Sequence, residues 1–224
     1  MISYKNLIII GTSHISIESV KKVEKLILGR KPEIVALELD PSRYHALLSK
    51  APHAKPSLKD IREVGIKGSL FNLIGGYIEK KLGKLVNTPP GSEMKKAIES
   101  ARAVKSDIVL IDQDIRVTLK KLSKSITWKE KWSFVADLIK FGIFKQKTTI
   151  KKLDLRKVPN KKIVNWLTKN LKERYPNIHK ILITERDHVM AKNLVEIMKT
   201  NKSIIAVVGL GHEEGTIKYI KQQK

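Results

Sequence analysis

The chain contains no cysteine among its 224 residues. That absence excludes disulfide staples, thiolate nucleophiles and Cys-ligated zinc. Aromatic residues are sparse at 5%, and no stacking motif for nucleic acid is built from them. Acids are also scarce: 22 Asp and Glu stand against 45 Lys and Arg, a net charge of +23. No apolar run nears the ~18 residues of a membrane-spanning helix. No signal-peptide pattern precedes the first apolar run, so the expected setting is cytoplasmic.

The positive charge is concentrated. Residues 115–180 hold 19 Lys or Arg and 4 Asp or Glu. A block of this kind attracts nucleic acid or an anionic membrane surface. A solvated Lys-rich surface has the same composition and needs no binding motif, and it is the preferred reading here. The hydrophobic content of 42% is ample for one substantial core. We therefore expect a single domain over 1–224, with 124–180 as a basic helical insertion.

The most informative stretch is Leu7-Ile8-Ile9-Ile10-Gly11-Thr12-Ser13-His14, echoed by Val207-Val208-Gly209-Leu210-Gly211-His212. Each is an apolar run that reaches Gly, with His three residues on. Continuous runs of Ile and Val read as parallel strands buried on both faces. Such sheets take ligands beyond the carboxyl ends of their strands. The run Glu33-Ile34-Val35-Ala36-Leu37-Glu38 ends in a carboxylate at the same kind of edge. So does Asp107-Ile108-Val109-Leu110-Ile111-Asp112. Two imidazoles and a carboxylate at strand ends match the side chains of an open zinc-type site. A solvated or capping histidine is the plainer alternative for either position taken alone.

Helices are expected between these strands. One runs from a Ser16 cap to Gly29 before Pro32, and another starts at Asp40-Pro41. A third is capped by Ser92, and a fourth spans 115–123. Further helices are expected over 70–82 (despite Gly75-Gly76), over 128–145, over 160–174 closed by Pro176, and from Ile181 to about Met198. The stretch 51–68 reads as irregular. The alternation predicts an α/β fold whose core has parallel-type strands and two Gly-x-x-His loops. Glu185-Arg186-Asp187 reads as a solvated first turn. Gly209-Leu210-Gly211-His212-Glu213-Glu214-Gly215 looks like a dinucleotide fingerprint, but no second strand can follow it.

Taken together, five blocks resemble the TraB (PrgY) domain. They are Gly11-Thr12-Ser13-His14; Glu38-Leu39-Asp40 with Arg43; Gly91-Ser92-Glu93-Met94; Asp112 with Ile115, Arg116 and Thr118; and Glu185-Arg186-Asp187 followed by Val208-Gly209-Leu210-Gly211-His212. The resemblance runs over nearly the whole chain. It implies kinship with the Tiki proteases and, more distantly, with erythromycin esterase and haem-binding ChaN-like proteins. It further implies an α/β core, metal-dependent peptidase chemistry in Tiki-type members, and a link to shutdown of a peptide pheromone.

The expected function is a metal-dependent, peptidase-like hydrolase that inactivates a signalling peptide. His14, Glu38 and His212 would hold a divalent metal, with Mn, Co or Zn all compatible with N and O donors. Arg116 or Arg186 would stabilise an oxyanion. Glu93 or Glu185 would act as general base or support a ligand. The alternative is a non-enzymatic module that binds a peptide or anionic ligand through its Arg and Lys residues. Helix 128–145 places Trp128, Trp132, Val135 and Ile139 on one face, which predicts a homodimer. Light scattering should return a dimer mass, and Trp132→Glu should give a folded monomer; a monomeric parent removes the idea.

Overall fold

The computed structural model describes residues 1–13, 16–49, 91–130, 133 and 161–223. His14, the stretch 51–68, the residues 70–82 expected to be helical and most of 128–145 lie outside the described residues. Among the described residues five strands form one sheet: β1 (Ile2–Tyr4), β2 (Leu7–Thr12), β3 (Ile34–Leu37), β4 (Asp107–Leu110) and β5 (Ile204–Gly209). Their order is β1-β2-β5-β3-β4. β1 is antiparallel to β2, and every other pairing is parallel.

The central strand is the last in sequence. β5 lies between β2 and β3, with Leu7 opposite Ile204, Thr12 opposite Gly209 and Ile34 also opposite Ile204. Every residue of β5 is buried. Its alternate side chains enter two different cores, as a strand covered on both faces requires. Ile205 and Val207 join Ile10, Val35 and Leu37 on one face. Ile204, Ala206 and Val208 join Leu7, Ile9 and Ala36 on the other.

Helices cover the two faces in sets. On the first face, α1 (Ile17–Arg30) supplies Val23 and Ile27. After the short α2 (Pro41–Leu48), α3 (Ser92–Ala103) adds Met94, Ala97, Ile98 and Ala101. Next come α4 (Ile115–Ser125), α5 (Lys161–Arg174) and α6 (Pro176–His179). A π-helical segment, Lys180–Thr184, leads into α7 (Glu185–Met198), and α8 (Leu210–Gln222) ends the fold. The second face is closed by Met190, Ala191 and Leu194 of α7 with Ile217 and Ile220 of α8. A third, smaller core joins Leu119, Leu122 and Ile126 to Ile178 and Ile181.

The α/β fold is as expected, and local details differ. Residues 2–4 form an edge strand that the sequence reading missed. Three residues are too short to show a period, and the strand exists because Lys5, at φ 51, turns the chain back on β2. Helix α1 runs past Gly29, and it is Lys31 that takes the left-handed cap at φ 44. Gly91, at φ 78, rather than Ser92 occupies the cap of α3. Pro176 opens a short helix instead of only closing one. Gly11 lies within β2 and Gly209 ends β5, so neither glycine sits in a separate turn. A Cβ on Gly11 would come within 3.0 Å of Leu210 Cδ2 and 3.1 Å of Glu213 Oε2; the glycine lets α8 start close against β2. No helix among the described residues is long and apolar enough to cross a membrane.

Leu194 is fully buried where α7 meets the sheet, whereas Leu28 on α1 is 39% exposed. Leu194→Ala should lower the unfolding free energy by about 2–5 kcal/mol in urea titrations. Leu28→Ala should change it by about 0.5 kcal/mol or less.

Candidate functional site

The carboxyl ends of the parallel strands gather a buried charged network. Glu38 directly follows β3, Asp112 lies two residues beyond β4, and His212 stands in the first turn of α8 after β5. The chain leaves β3 and β5 towards opposite faces of the sheet, α2 and α3 on one side and α8 on the other. The crevice of an α/β sheet opens where connections diverge in this way. Glu38 bridges it: its Oε2 accepts the backbone N–H of Gly209.

Arg186 is the hub. It projects from the first turn of α7, and its Nη2 donates to Glu38 Oε1 and, at 2.5 Å, to Asp112 Oδ2. Its Nε donates to both oxygens of Asp112 at 3.2 and 3.1 Å. A planar guanidinium is built for this double engagement. Burial works against the charge of Arg186, but Glu38 and Asp112 outweigh it and hold the pKa above the ordinary value.

The network continues outward. Arg43 donates to Asp112 Oδ2 at 2.6 Å and to Asp40 Oδ2 at 2.6 Å. Asp40 caps α2 through Arg43 N at 3.0 Å and also accepts Ile115 N, at the start of α4, at 3.3 Å. Arg43 is likewise raised in pKa, with burial opposed by Asp112 and Asp40. One ladder of alternating charges thus ties β3, β4, α2, α4 and α7 together at one edge.

His212 faces the same point from the other side. Its side chain is 6% exposed. Nδ1 lies 2.7 Å from Asp187 Oδ1, and Nε2 lies 3.6 Å from Glu38 Oε1. The second distance is too long for a hydrogen bond. It is close to the separation of about 3–4 Å between two donors on one ion with ligand lengths of ~2.0–2.2 Å. Burial raises the Asp187 carboxyl pKa, and the His212 bond only partly offsets it.

Of the residues expected from sequence, the structure brings Glu38, Arg186 and His212 together. Glu93 is buried in the first turn of α3. Glu185 pairs with Lys121 at 2.6 Å, and Arg116 pairs with Asp114 at 2.7 Å on the exposed rim. His14 lies outside the described residues. The solvated reading of the Glu185-Arg186-Asp187 triplet is corrected: only Glu185 keeps to the surface. Successive helical residues point about 100° apart, so a triplet at a packed helix start cannot share one environment.

Four members of the network were not named as site residues from sequence: Asp40, Arg43, Asp112 and Asp187. Asp112 carried the same signal as Glu38, an acid directly beyond a buried strand. Asp40 was read only as a helix cap, which it also is. For Asp187 the available signal was Gly215. A Cβ at that glycine would overlap the Asp187 carboxylate, so the fingerprint-like glycine serves a helix contact.

These positions can be set beside known proteins. A model of the TraB/PrgY/gumN family matches residues 2–224. An uncharacterized protein of Methanocaldococcus jannaschii, MJ1365, is 38% identical over 218 residues, which is 97% of this chain and 54% of that protein. TraB domain-containing proteins of Bos taurus and Homo sapiens are each 22% identical over 232 residues, covering 92% of this chain and 60% of theirs. The chain thus spans little more than half the length of the curated relatives it matches. The match of the family model over almost the whole chain leads to one assignment: this chain belongs to the TraB/PrgY/gumN family.

Proposed function

We propose that the chain is a metal-dependent hydrolase acting on a peptide or amide. In this reading His14, Glu38 and His212 would hold a divalent ion, with Mn, Co or Zn compatible with nitrogen and oxygen donors. The observation that carries it is the position of His212. Its Nδ1 is engaged by a buried carboxylate, and its Nε2 faces Glu38 Oε1 at 3.6 Å. Glu38 Oε1 already accepts Arg186 Nη2; what supports an ion is one imidazole nitrogen and one carboxylate oxygen at about the spacing two donors take up on a shared metal.

Imidazole nitrogen and carboxylate oxygen are donor types that suit such a metal. Among the described residues no group of three metal-ligating side chains gathers, so His212 and Glu38 need a third donor, and His14 has that role in this reading. A divalent ion held by these residues would supply a water of lowered pKa and polarise a scissile carbonyl. The chain's own groups do the rest. Arg186 orients Glu38 and, while staying bonded to Glu38 and Asp112, adds fixed positive charge near a developing oxyanion without donating to it. Gly209 N–H holds the other Glu38 oxygen. Of the two carboxylates considered as general base, Glu93 is buried whereas Glu185 is engaged with Lys121 at the surface; Glu93 is the one retained.

A purely anion-binding module draws less support from this arrangement. Among the described residues, the edge guanidiniums of Arg186 and Arg43 are already bonded to carboxylates, so neither offers its fork to a ligand without first leaving an acid.

Protein purified without chelator should carry about one divalent ion per chain after exposure to Mn, Co or Zn. His212→Ala and Glu38→Gln should lose it while staying folded. Elemental analysis decides: less than about a tenth of an ion per wild-type chain with all three metals contradicts the reading.

A further inference from the structure

Asp187 has no part in the ligand set or in the oxyanion role, yet it is 4% exposed and ends within 2.7 Å of His212. A buried carboxylate beside an imidazole calls for an explanation, because its desolvation is costly unless it does something for its neighbour. An ionised carboxylate can only accept hydrogen bonds. The ring nitrogen nearest it must then carry the hydrogen, and the other nitrogen is left with its lone pair.

We infer that Asp187 is a positioning residue for His212. It holds the imidazole as the Nδ1–H tautomer and turns the Nε2 lone pair towards Glu38. The consequence for metal affinity rests on the hydrolase reading above; the tautomer itself does not.

The seat of Asp187 is built by two features of the helices. Its neighbour Arg186 reaches Glu38 and Asp112, which fixes the rotation of the first turn of α7. The next side chain, about 100° further round, is thereby directed at α8. There it meets Gly215, three residues after His212 and on the same helical face. The Asp187 carboxyl lies so close to α8 that a Cβ at Gly215 would overlap Oδ2 and stand 2.6 Å from Cγ. Alanine favours a helix interior over glycine by about 1 kcal/mol, so a glycine in mid-helix at this place answers to the contact and not to the helix.

The test uses the full chain, stripped with chelator and labelled with 15N in histidine. Long-range 1H–15N spectra near about pH 8.5, where an ordinary imidazole is neutral, report which nitrogen carries the hydrogen. The His212 signals are identified by their loss in His212→Gln. Wild type should be dominated by Nδ1–H. Asp187→Ala, which removes the acceptor, and Gly215→Ala, which displaces it, should both lose that bias. Glu196→Ala, on the exposed side of the same helix, should keep it. Zn2+ titration calorimetry should show about 10–100-fold weaker binding by Asp187→Ala. A wild-type His212 in the Nε2–H form, or Nδ1–H retained in both variants, overturns the inference whatever the metal result. Loss of the bias in the variants, with no Zn2+ bound even by wild type, would uphold the positioning role and remove the metal reading. Should either variant fail to fold, the wild-type tautomer alone decides.

Discussion

Glu38 and Asp112 stand at the ends of neighbouring parallel strands with almost no access to water, and one cation lies between them. Two buried carboxylates at adjacent positions repel each other and lack the solvent that would screen them. Arg186 meets both at once. It comes from α7, which covers one face of the sheet, while the acids belong to strands β3 and β4. The ion pairs therefore do what apolar packing alone does not: they fix the rotation of a helix relative to the strand ends. Arg43 and Asp40 extend the same constraint to α2 and to the start of α4. Apolar cores on the two faces hold the layers together, and the charged ladder sets their register at the carboxyl edge of the sheet.

The placement of His212 follows from that register. β5 is central and buried, flanked by β2 and β3, and α8 starts directly after it. The Gly209 N–H is bonded to Glu38, so the beginning of α8 is tied to the end of β3. His212, three residues on, then has Glu38 on one side of its ring and Asp187 on the other. Arg186 and Asp187, adjacent in sequence, grip the two sides of this arrangement, one holding the glutamate and the other the histidine.

Much of this was legible in the sequence because buried parallel strands are near-continuous apolar runs. Whatever polar residue follows such a run lies at the carboxyl edge, which singled out Glu38 and His212; Asp112 carried the same signal without being named as a site residue. The requirement that 7–11, 34–38 and 204–208 be parallel neighbours followed from placing those residues at one point, and the strand order meets it. Other features depend on partners distant in the chain. Arg186 and Asp187 look like a solvated charged turn until the acids of β3 and β4 and the start of α8 are brought to them. β1 is too short to carry a pattern, and it is specified by its pairing with β2. The left-handed cap at Lys31 overrides the expected glycine signal because Gly29 lies one residue inside the helix. In each case local propensity was outweighed by a contact made across the fold.

If His212 and Glu38 form one binding point for a cation, held in shape by Asp187 and Arg186, an ion must be visible between them. The most direct measurement is anomalous diffraction at the zinc edge from crystals grown with Zn2+. A peak is expected at ligand distance, about 2.0–2.2 Å, from both His212 Nε2 and a Glu38 oxygen, with Asp187 still bonded to Nδ1. No peak at that point, with His212 Nε2 hydrogen-bonded directly to Glu38 instead, would contradict the shared binding point.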